Sequence, residues 1–150
     1  MRILVDSSAW IDFFNDHPSP LAGEVQRVLR SEHEVCTLGM VVLEIAQGLR
    51  HEQRRHRVLR LLRQLTFLEP EGIGSYLRAA ELYRDLRARG LTIRSSVDCL
   101  VVAAAEAHGC RLLFRDRDLE RIVTSGLANI VRWPRSGGDF IAENPGNQVP

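Results

Sequence analysis

The sequence predicts a single α/β domain, a three-layer α/β/α sandwich around a central parallel sheet. Short apolar runs alternate along the chain with longer segments of helical periodicity, and strands separated by helices are typical of parallel sheets. With 150 residues, 45% of them hydrophobic, the chain is long enough to bury a sizeable core. No internal repeat is visible, so we expect one domain.

The first half of the chain begins with a strand at residues 3–5, and a helix follows over residues 8–15. The break "DHPSP" separates that helix from a second one over residues 21–30. "EVCT" predicts the second strand, because it is short, apolar and followed by a change to helical periodicity. It leads into the apolar helix "LGMVVLEIAQGLR".

An arginine-rich helix comes next, and its apolar residues from Val58 to Leu65 keep i, i+3, i+4, i+7 spacing. "TFLEP" predicts a short strand or an extended link. Residues 75–89 predict an amphipathic helix, because charges of alternating sign follow one face. Gly90 is expected to end that helix.

The last third of the domain repeats the alternation of helix and strand. Ser95 or Ser96 is expected to cap the helix that contains "VDCLVVAAAEAHG", and Gly109 to end it. "CRLLF" then predicts a strand, "DLERIV" a short helix and "NIVRW" a last strand. The domain is therefore expected over residues 1–133. The tail at 134–150, rich in Gly, Pro and Asn, is expected to be loose or dependent on a partner.

The cysteines and the longest apolar run indicate the cellular compartment in which the protein is expected. Cys36, Cys99 and Cys110 are odd in number and show neither metal-ligand spacing nor a disulfide framework, so we expect small core residues in a reducing compartment. The run "VDCLVVAAAEA" is too short to span a membrane and carries Asp98 and Glu106. No signal peptide opens the chain. A cytoplasmic protein without membrane contact is the expectation.

The composition of the charge excludes several classes of protein. The formal net charge is only +1, and all 20 basic residues are arginine. Without lysine there is no P-loop, no Schiff-base chemistry and no phosphoacceptor site of the receiver type, which needs a lysine partner. Arginine suits phosphate because its planar fork binds oxygens in pairs. A codon bias toward arginine explains the composition equally well.

Two carboxylates stand where predicted strands end. Asp6 directly follows the first strand, and Asp116 lies just past "RLLF", with Asp118 two residues further on. In open parallel sheets, ligands bind beyond the carboxyl ends of the strands. If the strands ending at Val5 and Phe114 are neighbours, these acids meet at one edge. Each acid has a simpler explanation, because any of the three can cap the helix that follows it.

Two further acids interrupt apolar helices. Asp98 opens "VDCLVVAAA", where it also fits the third position of a capping box after Ser95. Glu44 lies within "MVVLEIA", and a carboxylate among apolar neighbours needs a partner. A simple explanation is reasonable for each acid when that acid is considered alone. Four separate explanations for four such acids in one chain are less convincing.

Bringing these acids together has a large electrostatic cost. Two carboxylates about 5 Å apart repel by roughly 3 kcal/mol at an effective dielectric near 20. Four of them form six pairs, so the total approaches the whole stability of a fold, about 5–15 kcal/mol. Protons or a divalent cation must offset this repulsion. An all-oxygen site favours a hard ion, Mg²⁺ or Mn²⁺.

The segments that carry these acids resemble a known family. "ILVDSSAWIDFF", "LGMVVLEIAQGL" and "SSVDCLVVAAAEAHGCRLLFRDRDLERI" are similar to PIN-domain ribonucleases, and specifically to VapC-type toxins of bacterial type II toxin–antitoxin pairs. The likeness runs from the first residue to about Trp133. It implies a PIN-like α/β/α fold and a Mg²⁺-dependent endoribonuclease that cuts structured RNA such as tRNA or ribosomal RNA.

The resemblance also implies site residues. Asp6 and Asp98 match the acids expected as direct metal ligands, Glu44 matches the acid followed by "IAQG", and Asp116 matches the acid after the fourth strand. Asp118 stands in reserve. Ser7 or Ser8 is expected to orient a ligand or to contact substrate. One position departs from the pattern: Phe114 stands where many relatives carry Thr, Ser or His, so a polar contact near Asp116 is in doubt.

The resemblance implies partners as well: a homodimer, and a VapB-type antitoxin whose tail blocks the acidic groove, often with an arginine among the carboxylates. The stretch "RHEQRRHRVLRLLRQ" is the strongest basic cluster and can follow an RNA backbone. A solvated surface, or a contact with the dimer mate or the antitoxin, is the favoured interpretation. Two other functions remain open: a PIN nuclease of RNA processing without an antitoxin, and a non-catalytic interaction module.

Overall fold

A computed structural model describes residues 1–15, 19–49 and 51–134. Five strands and seven helices lie within these ranges. The strands are β1 (Arg2–Val5), β2 (Glu34–Leu38), β3 (Thr66–Leu68), β4 (Arg111–Leu113) and β5 (Val131–Arg132). The helices are α1 (Ser7–Phe14), α2 (Pro20–Arg30), α3 (Gly39–Gly48), α4 (Glu52–Leu62), α5 (Gly72–Ala88), α6 (Ser96–Ala107) and α7 (Arg117–Thr124).

The strands form one parallel sheet in the order β3-β2-β1-β4-β5. From β1 the chain moves outward through β2 to β3, and it then crosses back to β4 and β5. Because such crossovers are right-handed, α1–α4 and α5–α7 cover opposite faces. This confirms the expected α/β/α sandwich and places the reversal of strand order between β1 and β4. A ligand crevice is expected at that reversal.

The two central strands explain why the sheet needs a helical layer on each face. Ile3, Leu4 and Val5 of β1 are fully buried, as are Leu112 and Leu113 of β4. Strands buried on both faces carry continuous apolar runs rather than alternating ones. The apolar helix α6 adds six buried residues to the same core.

Helix ends agree closely with the sequence signals. Ser95 caps α6, because its hydroxyl accepts a hydrogen bond from the Val97 N–H. Gly90 and Gly109, at φ +77° and +63°, follow the last residues of α5 and α6, where the left-handed conformation suits glycine. The helix α5 begins three residues earlier than expected. The Ser75 hydroxyl explains this, since it accepts from the Glu71 N–H, within the first turn.

Parts of the prediction fall outside the described residues. These are Asp16–Pro18 of the "DHPSP" break, Arg50 at the start of the basic stretch, and residues 135–150 of the expected tail. Within the described ranges, no helix is long and apolar enough to cross a membrane.

Candidate active site

Asp6 and Asp116 follow neighbouring strands at the same edge of the sheet, as the sequence predicts. The strands β1 and β4 pair directly, and the Asp6 N–H donates to the Leu113 carbonyl at 2.9 Å. Both residues also cap helices. Asp6 begins α1 and Asp116 begins α7, each through a side-chain oxygen that accepts backbone N–H groups. Capping therefore occupies one oxygen of each carboxylate. It does not exclude a further role for these acids in a functional site.

The Asp6 carboxylate is only 5% exposed. Its Oδ2 accepts from the Ser8 N–H at 3.0 Å and from the Ser8 hydroxyl at 2.5 Å. Burial raises the pKa of Asp6, the charge of Glu44 raises it further, and the hydrogen bonds from Ser8 oppose the rise. The ionised form of Asp6 is therefore in an unfavourable electrostatic environment, and the hydrogen bonds from Ser8 fix its orientation.

Glu44 has the partner that its apolar surroundings demand. It lies half-buried on α3, and its Oε2 accepts a hydrogen bond of 2.5 Å from the Ser7 hydroxyl. Helices α1 and α3 pack together, which brings Ser7 across to Glu44. Both serines after the first strand thus orient carboxylates, Ser7 for Glu44 and Ser8 for Asp6. Their expected orienting role agrees with this geometry.

Asp98 lies in the first turn of α6, and its electrostatic environment is the most perturbed of the group. Burial raises its pKa to about 7, with further contributions from the negative charges of Asp116, Asp6, Asp118 and Glu44, in that order. An isolated aspartate titrates near 3.8. The repulsion shows that all five acids act on one region, although they come from four separate parts of the chain.

A compact oxygen cluster forms the centre of this region. One carboxylate oxygen from each of Asp98, Asp116 and Asp118 lies within 4.8 Å of the others. Asp116 uses Oδ1 to cap α7, through the Asp118 and Leu119 N–H groups at 2.6 and 3.2 Å. Its Oδ2 is oriented toward Arg94. One oxygen of Asp118, the acid held in reserve by the sequence analysis, thus also lies in the cluster.

Asp118 differs from the other acids because arginines neutralise it. Its side chain is 2% exposed, and it pairs with Arg94 at 3.0 Å and with Arg121 at 3.1 Å. The Arg94 N–H also donates to it at 3.0 Å. Burial opposes ionisation, yet these bonds and charges lower the pKa of Asp118. Asp118 therefore serves mainly to anchor the loop before α6.

Two features near the cluster differ from sequence reasoning. Arg94 was not a candidate, although its position two residues before the acid-bearing helix α6 is a usable signal. Phe114 is fully buried, and the Arg132 guanidinium lies 4.7 Å from its ring centre. Phe114 is thus a core residue. A polar contact beside Asp116 comes instead from Ser8, whose hydroxyl accepts from the Arg115 N–H at 3.0 Å.

This donor set fits a hard divalent cation. The ligand atoms are carboxylate oxygens, which Mg²⁺ and Mn²⁺ prefer. The raised pKa values of Asp6 and Asp98 mark negative charge that the surrounding residues do not compensate. A divalent cation bound among them would reduce that penalty.

The class of protein follows from comparison with known families. The model of the PIN domain family matches residues 3–124, so the chain belongs to the PIN-domain family. The predicted resemblance is thereby confirmed.

Curated relatives give a narrower placement. The chain is 35% identical over 121 residues to VapC ribonuclease Mb1587 of Mycobacterium bovis and to Ribonuclease VapC11 of Mycobacterium tuberculosis. Each alignment covers 80% of this chain and 90% of the relative. The chain thus belongs to the VapC ribonuclease family.

Solved structures share the fold. VapBC2 from Rickettsia felis, bound to a DNA fragment from its promoter, matches with a TM-score of 0.69 at 18% identity, over 89% of this chain and 99% of that one. VapBC-5 of Mycobacterium tuberculosis matches with a TM-score of 0.59 at 17% identity, over 87% and 98% of the two chains. At these identities the likeness concerns the fold alone.

Proposed function

We propose that this protein is a metal-dependent endoribonuclease and the toxin of a VapBC-type pair. One observation carries the proposal: acids from separate elements gather beside the carboxyl ends of β1 and β4, where the pKa of Asp98 rises to about 7. Asp6, Glu44, Asp98 and Asp116 are the proposed ligands of Mg²⁺, or of Mn²⁺. Asp118 supports them from behind. The VapC relatives, named as ribonucleases, support the same activity.

The proposed reaction is hydrolysis of an RNA phosphodiester. The oxygen of a water molecule bonds to phosphorus and gives up one proton, while the phosphorus–oxygen bond to one ribose breaks. The departing oxygen takes up a proton, so the products are a phosphate monoester and a ribose hydroxyl. A bound divalent ion lowers the pKa of water and stabilises developing negative charge. Within the chain, Ser8 and Ser7 fix the carboxylates of Asp6 and Glu44. Structured RNA, tRNA or ribosomal RNA, is the proposed substrate, and the cytoplasm is the proposed location.

Removal of one proposed ligand tests the reaction. Purified Asp98→Asn and Asp6→Asn proteins are expected to lose cleavage of total cellular RNA in Mg²⁺ by at least about 100-fold, the range over which placed catalytic groups act. Asp85→Asn, on an exposed face of α5, removes the same charge elsewhere and is expected to cleave normally. Mapping new RNA 5′ ends after brief induction identifies the substrate.

The outcomes separate the competing functions. Unchanged metal-dependent cleavage by the Asp98→Asn protein contradicts the site. A wild-type protein that binds no Mn²⁺ in a titration favours a non-catalytic module. A protein that cleaves RNA but has no small antitoxin-like reading frame beside its gene favours an RNA-processing nuclease.

The antitoxin is proposed to bind a cleft between α1 and α4. This cleft of about 670 Å³ has apolar walls from Phe13, Phe14 and Leu61, and Arg57 and Arg60 line it as well. Such a surface suits an amphipathic segment that carries acidic residues. The antitoxin's tail is proposed to reach the carboxylates with an arginine, which neutralises them in place of metal.

Charge reversal tests the cleft. Arg57→Glu is expected to weaken antitoxin binding at least about tenfold, whereas Arg84→Glu on the exposed face of α5 has little effect. If Arg57→Ala instead lowers the salt dependence of RNA binding, this basic surface is part of the RNA path.

A second copy of the chain is proposed to cover the apolar surface at the start of α5. Ile73, Tyr76 and Leu77 are 76%, 55% and 57% exposed at i, i+3, i+4 spacing, and Phe67 beside them is 54% exposed. Contiguous exposed apolar surface usually marks an interface. Ile73→Glu is expected to convert a dimer to a monomer in sedimentation, whereas Ile11→Glu, at another exposed position, is expected to leave the dimer intact. A dimer that survives Ile73→Glu contradicts this placement.

A further inference from the structure

Arg94 reaches the carboxylate cluster from the loop before α6. Its guanidinium Nε donates to Asp118 Oδ2 at 3.0 Å, and its backbone N–H donates to the same oxygen at 3.0 Å. The neighbouring Ile93 is buried, which fixes the loop beneath. Because one buried oxygen holds both the backbone and the side chain, the direction of the guanidinium is set before any ligand arrives.

The outer edge of this guanidinium remains available. The Arg94 side chain is 75% exposed although its Nε lies against a buried carboxylate. Its Nη2 lies 3.7 Å from Asp116 Oδ2, which is too far for a hydrogen bond. A guanidinium carries five N–H donors, and four of those of Arg94 make no hydrogen bond to any residue that the structure describes.

Asp118 does not need Arg94 for charge balance alone. Arg121 already neutralises the other oxygen of Asp118 at 3.1 Å, and it also donates to the Thr92 carbonyl. Arg121 thus ties the same loop to the same carboxylate. The distinguishing feature of Arg94 is its position: of these two arginines, Arg94 is the one whose guanidinium extends from Asp118 toward Asp116, at the proposed metal site.

We propose that Arg94 binds the phosphodiester that is cut. Its amino groups donate to a phosphate oxygen at the edge of the cluster, while Asp118 holds the guanidinium in place. The planar fork of arginine pairs with phosphate oxygens, and donors fixed before binding stabilise negative charge that develops on them. The assignment rests on the proposed ribonuclease activity and adds a catalytic residue from the protein to the acids that hold the metal.

Two arginines on one carboxylate provide a matched pair of variants. Arg94→Gln and Arg121→Gln each remove one positive charge and one bond to Asp118. Binding of a short single-stranded RNA of mixed sequence is measured by fluorescence anisotropy in the Asp98→Asn background, where the proposed cleavage is absent. Arg94→Gln is expected to reduce the slope of log affinity against log salt by about 0.7, one phosphate contact on a single strand. Arg121→Gln is expected to leave the slope unchanged.

Metal binding gives a second readout, in which Arg94→Gln is expected to strengthen binding rather than to remove a contact. For this test the protein keeps Asp98 and no RNA is added. Mn²⁺ binding is measured by electron paramagnetic resonance. Arg94→Gln is expected to bind Mn²⁺ about three- to tenfold more tightly, because it removes a positive charge beside Asp116, and yet to cleave at least about 100-fold more slowly. If Arg94 only supports the loop, its loss weakens Mn²⁺ binding and cleavage together, and the proposal is wrong.

Arg94→Lys keeps the charge, and it is the control if the Arg94→Gln protein fails to fold. Lysine lacks the Nε anchor, so it is expected to retain the salt slope but to turn over about tenfold more slowly; turnover equal to wild type overturns the role of the fixed guanidinium. An unchanged salt slope in Arg94→Gln, while cleavage still requires Asp98, refutes this assignment alone. Cleavage by the Asp98→Asn protein refutes the proposed function itself.

Discussion

Replacing Asp98 by Asn is expected to stabilise the metal-free protein while it abolishes activity. The folded protein holds Asp98 at a pKa of about 7, against 3.8 for an aspartate in an open chain. Between these two values the folded state binds the proton that the unfolded state has lost, so the free energy of unfolding falls as pH rises. Above pH 7 the folded protein bears the full cost of ionising Asp98. Asparagine fills nearly the same space without that charge.

The expected magnitude follows from the same two values. At about 1.4 kcal/mol per pH unit, the interval from 3.8 to about 7 sums to about 4 kcal/mol. Partial exposure and relaxation of the neighbouring acids reduce it, so about 2–4 kcal/mol is expected at pH 8. For a chain of 150 residues this raises Tm by roughly 5–15 °C. The gain is expected to shrink as pH falls through 7 and to vanish near pH 4.

Thermal unfolding in EDTA at several pH values measures this effect. Asp85→Asn, which removes a carboxylate from the exposed face of α5, is the control and is expected to stay within about 0.5 kcal/mol of wild type. Added Mg²⁺ is expected to raise the Tm of the wild type more than that of Asp98→Asn, because only the former keeps all four proposed ligands. An Asp98→Asn protein that is less stable than wild type at pH 8 refutes the electrostatic argument.

Three further predictions address the site and its support. Mn²⁺ affinity is expected to fall up to about tenfold per pH unit below pH 7, because protons compete for Asp98; a titration that is flat between pH 5 and 7 would contradict this. Ser7→Ala removes the donor to Glu44, so cleavage is expected to drop about three- to tenfold at nearly unchanged Tm, measured on the same preparation. Arg78→Met breaks bonds to Glu106 and to the Leu127 carbonyl, and denaturant unfolding is expected to show a loss of about 1–3 kcal/mol without change in cleavage per folded molecule.

The sequence predicts where an acid lies when the fold itself positions it. Asp6 and Asp116 follow strands of a parallel sheet, so the edge on which they lie is determined by topology. Helix caps such as Ser95 are equally readable, because they depend on neighbours in the chain.

Contacts between distant segments cannot be predicted from the sequence in this way. Asp118 is separated by 24 residues from Arg94, and although its i,i+3 pair with Arg121 is a local pattern, nothing local shows that Arg94 neutralises it as well. The bond from Ser7 to Glu44 spans 37 residues and depends on how α1 packs on α3. Tertiary packing, rather than propensity, therefore decides which acid is neutralised by arginine and which keeps its charge uncompensated.

Three helices begin beside the acids: α1 at Asp6, α6 just before Asp98 and α7 at Asp116. The positive ends of their backbone dipoles therefore converge on the carboxylates, and each stabilises nearby negative charge by about 0.3–1 kcal/mol. Peptide groups cannot dissociate as a cation can. This permanent field offsets part of the repulsion among the acids, so the carboxylates can stay close together whether or not a cation lies between them.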